Sequence, residues 1–158
     1  MAAFSRDMME SGHSTGYGRY MAALHETTMT LRFFGDDLDP DEVTTRLGCS
    51  PSFGAKKGGV WTTKGGTEKV ARTGFWRLAV ANRSPGDLDA QITELLAQCS
   101  DDLSEWASLT TRFTANVFCG VFMDRSNEGA SLSPAVMSLL GSRNLPFWLD
   151  IYDRSPPS

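Results

Sequence analysis

A chain of 158 residues, 41% hydrophobic and 22% charged, has the composition of one globular domain and enough length to bury a core without metal or disulfide staples. Its net charge of -4 disfavours nucleic acid or an anionic membrane as the main partner. The three cysteines, Cys49, Cys99 and Cys119, are too widely spaced for a metal-binding pair and odd in number, so they read as reduced thiols of a cytoplasmic protein.

Residues 1–26 contain a run of serine, glycine and threonine with little to bury, which predicts a flexible leader ahead of a single domain over residues 27–153. Residues 154–158, rich in serine and proline, predict a disordered tail. Within the domain, Met29, Leu31 and Phe33 alternate with Thr28, Thr30 and Arg32, the period of a strand with one buried face. Asp39 as N-cap, Pro40 at the first helical position, Val43 and Leu47 four apart and Gly48 as a stop predict a short helix. Residues 51–74 hold neither period for long and read as a glycine-rich excursion, with a short strand at Val60, Trp61 and Thr62.

A second strand follows, with Trp76, Leu78 and Val80 on one face. Ser84 and Pro85 then predict the start of the longest helix, carried by Leu88, Ile92, Leu95, Leu96 and Cys99 and, past an irregularity near Ser100, by Leu103 and Trp106. A long strand is expected over residues 111–123, with Phe118 and Phe122 opposite its main apolar face. Ser133 and Pro134 open another short helix, and Phe147, Leu149 and Ile151 mark a last strand. This order predicts an α+β two-layer sandwich: a mainly antiparallel sheet of about four or five strands under three helices, ferredoxin-like in part.

Beyond periodicity, the stretch TLRFFGDDLDPDEVTTRLG from Thr30 to Gly48 has a distinctive acidic turn. With the loop at Lys57 and Gly58, GFWRL from Gly74, LSP from Leu132 and LDIY from Leu149, it resembles the DUF4279 family of small bacterial domains over about residues 27–153. The resemblance implies a compact bacterial α+β domain and no particular activity.

Two charged features stand out as candidate binding groups. Asp36 and Asp37 begin an acidic run in which Asp39, Asp41 and Glu42 suit a helix start, while Leu38 and Pro40 break the spacing of a calcium loop. Lys56, Lys57 and Arg77 belong to a basic stretch over residues 51–77, where Trp61 is the aromatic group best placed to be exposed. This stretch does not complete a phosphate-loop motif. His13 and His25 are the only histidines, so acid–base work by histidine inside the domain is excluded by inventory.

The leading expectation is a non-enzymatic binding or accessory module, with a protein or a small anionic ligand as partner and with no metal or cofactor. One alternative is small-molecule chemistry in a groove between the sheet and residues 51–74, where Arg32, Asp36, Trp61 and Arg77 would converge. A second is weak nucleic-acid binding through the basic stretch, which would depend on Lys56 and Lys57.

Overall fold

Alternation of apolar and polar side chains produces the strand on which the rest is assembled, β2 (Glu26–Gly35), in which Thr27, Met29, Leu31 and Phe33 are buried. The computed structural model describes residues 22–154. Before β2 comes β1 (Ala22–Ala23), and after it follow α1 (Pro40–Leu47), β3 (Phe53–Ala55), β4 (Val60–Thr62), β5 (Glu68–Val70) and β6 (Gly74–Arg83). The second half contains α2 (Leu88–Ala97), α3 (Leu103–Arg112), β7 (Thr114–Met123), β8 (Glu128–Gly129), α4 (Pro134–Ser142) and β9 (Phe147–Asp153). Of the expected leader, residues 1–21 lie outside the described residues, and Ala22 and Ala23 pair in parallel with Glu128 and Gly129.

The main sheet has the order β3-β6-β2-β7-β9, with small two-stranded pairs β1-β8 and β4-β5 beside it. β6 and β7 both run antiparallel to β2, and β3 runs antiparallel to β6, but β7 and β9 are parallel. The sheet is therefore mixed, which corrects the expectation of a mainly antiparallel one. The cause is the α4 crossover, which returns the chain to the end of the sheet where β7 began. Nor is the order that of a ferredoxin-like core, which inserts a strand between those joined through a helix. Here β2 and β6, connected through α1 and the hairpin region, pair directly.

Among the described residues four helices, not three, cover the sheet. The expected long helix is two, because Asp102 adopts extended backbone (φ -71°, ψ 100°) and its carboxylate accepts from the amide of Ser104, so a second N-cap restarts the helix. Trp106 holds the break by donating its indole N–H to the Ser100 carbonyl at 2.8 Å. Ser84 and Pro85 precede the real cap of α2, Asp87, whose side chain accepts from Ala90 N. Residues 111 and 112 finish α3 rather than begin β7.

Strand register places one row of side chains under the helices: Phe33 beside Trp76 and Ala115, Leu31 beside Leu78 and Val117, Met29 beside Val80 and Cys119. Val43 and Leu47 of α1, Ile92, Leu95 and Leu96 of α2, Trp106 and Leu109 of α3, and Val136 and Leu140 of α4 join them in one core. Phe33 sits edge-on to Trp76, with centroids 5.9 Å apart, and Trp76 donates to Thr44 Oγ1 at 3.0 Å. At the far end, β9 forms an edge on which Trp148, Leu149, Ile151 and Tyr152 are exposed. No helix among the described residues is long and apolar enough to cross a membrane.

Polar groups inside this core are few, and the one most fully engaged is a glutamine. Gln91, fully buried on α2, accepts from Thr27 Oγ1 at 2.5 Å and donates its amide to the carbonyls of Thr27 (3.0 Å) and Ala81 (3.1 Å), tying α2 to both β2 and β6. Gln91→Leu strands these groups without partners, so unfolding free energy in urea should fall by about 1–3 kcal/mol. A loss below about 0.5 kcal/mol, the range of a neutral surface change, would contradict this role.

Outside the core, Glu42 joins α1 to α3 by accepting from both Arg112 and Arg46, and Arg46 also reaches Glu105 at 2.8 Å. The Arg112 hydrogen bond is the largest influence holding the Glu42 carboxyl below its ordinary pKa. A lowered carboxylate contributes stability above its unfolded pKa and loses it as pH falls through the folded value. Glu42→Gln should therefore cost up to about 1 kcal/mol at neutral pH. In acid, below the ordinary carboxylate range, urea midpoints of the two proteins should converge.

Candidate functional site

Among the described residues no helix lies on the second face of the sheet, and alternation along each strand decides what is there. On β2 it receives Thr28, Thr30, Arg32 and Phe34, on β6 Phe75 and Arg77, on β3 Phe53, and on β7 Asn116, Phe118 and Phe122. Arg32 pairs in register with Arg77 on one side and with Asn116 on the other, and Arg77 pairs in turn with Phe53. Two like charges directly opposite on neighbouring strands repel. The offset comes from what surrounds them.

The Arg32 guanidinium lies 4.2 Å from the centroid of Phe118 and 5.6 Å from that of Phe34, and its Nε donates to Asn116 Oδ1 at 2.8 Å. Arg77 lies 5.1 Å from Phe75 and 5.5 Å from Phe34. Phe34 thus contacts both cations, whose stacking on aromatic faces is worth about 0.5–2 kcal/mol each. Burial lowers the pKa of Arg32, Arg77 lowers it further, and Asp150 acts the other way. Burial likewise lowers that of Arg77. Both remain cations at neutral pH. Arg77 Nε is buried and finds no hydrogen-bond partner among the described residues, which leaves a charged donor unused beside a second guanidinium.

The β4-β5 hairpin turns this surface into a cleft. Gly66, at φ +84°, closes its tip, and the amide of Ala71 bonds to Gly59 O while Gly58 bonds back to Ala71 O, both at 2.8 Å. Trp61 is thereby laid against Phe53 (5.9 Å) and Phe75 (5.0 Å), both edge to face. Between hairpin and sheet opens a cleft of about 540 Å³ with Phe34, Trp61 and Phe75 as apolar walls and Lys69, Arg72 and Arg77 as cations. This volume is in the range of small-molecule sites, about 300–1,000 Å³.

Three of the sequence-derived candidates, Arg32, Trp61 and Arg77, thus share the open face, with Trp61 and Arg77 lining the cleft itself. The others gather at the end of the strands. Lys56 pairs with Asp39 at 2.8 Å and Lys57 with Asp36 at 2.6 Å, while Asp37 is exposed on the same turn. Its bond to Lys57, followed by that to Thr73, holds Asp36 below the usual carboxylate pKa, and Asp36 in turn raises Lys57. Asp36 lies four residues beyond Arg32, roughly 13 Å along the strand direction. Thr73, which lines the cleft, connects the Asp36–Lys57 pair to its rim.

Sequence reasoning passed over Phe34 and Phe75 as site residues, took Phe118 only as an outward residue of its strand, and took Lys69 and Arg72 only as part of the basic stretch. A usable signal was present: in β2 and again in β6 an arginine and a phenylalanine stand two residues apart, opposite the apolar row that formed the core. Period-two reading of the outer rows would have put Arg32 with Phe34 and Arg77 with Phe75.

No curated protein and no solved structure matches this chain. A family model described as a domain of unknown function, DUF4279, matches residues 25–154. Because that span takes in all five strands of the main sheet and all four helices, the chain belongs to the DUF4279 family.

Proposed function

We propose that this protein is a non-enzymatic binding module that takes a small anionic ligand with an apolar body. The acid group, carboxylate or phosphate, is received by Arg77 and Arg32, and the apolar part lies against Trp61, Phe34 and Phe75. The observation that carries this reading is the partly desolvated arginine pair, stacked on phenylalanine, with the buried Nε of Arg77 unmatched among the described residues. A planar guanidinium presents donors in the fork geometry that carboxylate and phosphate oxygens match. Lys69 and Arg72 at the cleft add positive potential.

The enzymatic alternative draws less support, because its intended carboxylate, Asp36, is engaged by Lys57 at the strand end. Nucleic-acid binding through Lys56 and Lys57 is weakened in the same way, since each lysine is paired with a carboxylate of this chain.

Titration with phenyl phosphate, followed by the Nε–H resonances of arginine, tests the proposal. Saturable shifts at Arg32 and Arg77 are expected, with phenol giving none. Arg77→Met should weaken phenyl phosphate by about 10–100-fold, the loss of a charge-assisted hydrogen bond, while circular dichroism remains that of the parent. Absence of saturable binding by phenyl phosphate, benzoate and inorganic phosphate at millimolar concentrations, or an affinity indifferent to Arg77→Met, would overturn it.

A further inference from the structure

On the helix side of the sheet, away from the cleft, two thiols meet. Cys49 follows Gly48, the left-handed residue (φ 69°) that ends α1, and Cys99 lies just beyond Gln98, the C-cap of α2. Fifty residues apart in sequence, their sulfurs are 3.4 Å apart. The backbone holds the two helix ends in place: Ser100 N donates to Leu47 O at 2.7 Å, and Cys99 N to Leu96 O at 3.1 Å. Cys99 is 7% exposed, whereas Cys49 is only half-buried and can be reached from solvent. The third cysteine, Cys119, is fully buried in β7, where burial pushes its thiol up to about 11.

We infer that Cys49 and Cys99 are a site of reversible disulfide formation, with Cys49 the attacking sulfur and Cys99 the resolving one. Closing the pair requires the sulfurs to approach from 3.4 Å to about 2.05 Å, a short displacement for two side chains already in contact. The roles follow from position. Cys49 is accessible, and the hydrogen bond from Cys99 lowers its pKa, while the same contact and burial raise that of Cys99. Arg143, 6% exposed, is the cation whose charge favours a Cys99 thiolate.

The oxidant is a low-molecular-weight disulfide, RS–SR. The Cys49 thiolate attacks one of its sulfurs, forming a mixed disulfide and expelling RS⁻. Cys99, on losing its proton, attacks Cys49 Sγ, forms the intramolecular bond and expels the second RS⁻. The two protons given up by the cysteines leave as part of two RSH, so two thiols are oxidised as one external disulfide is reduced. An excess of small thiol runs the sequence backwards. The product ties the exit of α1 to the exit of α2, which encloses the whole hairpin region and β6.

The test is incubation of the full chain with oxidised glutathione, then intact mass and peptide mapping. The expected product is lighter than the reduced chain by about two hydrogens, contains a Cys49–Cys99 linked peptide, and reverts with dithiothreitol. Cys119→Ser should give the same product, while Cys99→Ser should stop at glutathione attached to Cys49. The inference is overturned if the parent chain accumulates only the Cys49 adduct, if the link involves Cys119, or if the folded chain stays unreacted where the urea-unfolded chain is oxidised. These readings on the parent do not depend on either variant folding.

Discussion

Everything in this fold hangs on the two-sidedness of β2. One side of the strand is a closed apolar row, Met29, Leu31 and Phe33, that fixes β6 and β7 beside it and receives helix side chains from above. A one-residue slip would exchange that row for Thr30, Arg32 and Phe34, so burial of the inner row also dictates what the outer face displays. Helices cover only the first side. The other is handled by a small hairpin at one end and, over the remainder, by arginines set over phenylalanine rings.

This arrangement gives Arg32 and Arg77 a structural task, to which the proposed function adds a chemical one. Their guanidinium planes screen aromatic surface from water, and their side-chain stems add apolar cover. Holding two cations on adjacent strands has an electrostatic cost that Phe34, Phe75, Phe118 and Asn116 offset. An anion placed between them would relieve the same repulsion, which is the physical basis of the binding role proposed above. Lys56 and Lys57 show the opposite outcome, their charges already balanced by Asp39 and Asp36.

Local signals carried much of the architecture. Asp39 as cap of α1, Gly48 as its stop, and the inner rows of β2 and β6 were legible because each depends on residues a few positions apart. The division between α2 and α3 was not, since the apolar spacing continues across it and only the capping geometry of Asp102 interrupts the helix. Parallel pairing of β7 with β9 was hidden for another reason: direction depends on where α4 returns the chain. At the candidate site, Arg32, Trp61 and Arg77 were recognisable as residue types, but the acidic turn and the basic loop looked like separate binding features. That they neutralise each other is a long-range fact, as is the meeting of Cys49 and Cys99, and no spacing rule contains either.

The exposed strand β9 has a consequence for how the sheet could grow. Its seven residues end the sheet opposite the three-residue strand β3, and its outer hydrogen-bonding edge is a template for another extended chain. Self-association there meets an obstacle written into the strand. In an antiparallel pairing of two copies centred on Asp150, Leu149 would face Ile151 and Trp148 would face Tyr152, favourable partners all, yet the two Asp150 carboxylates would be directly opposed. A single acidic residue in the middle of an apolar edge thus sets a charge penalty on the most symmetrical way for two copies to join edge to edge.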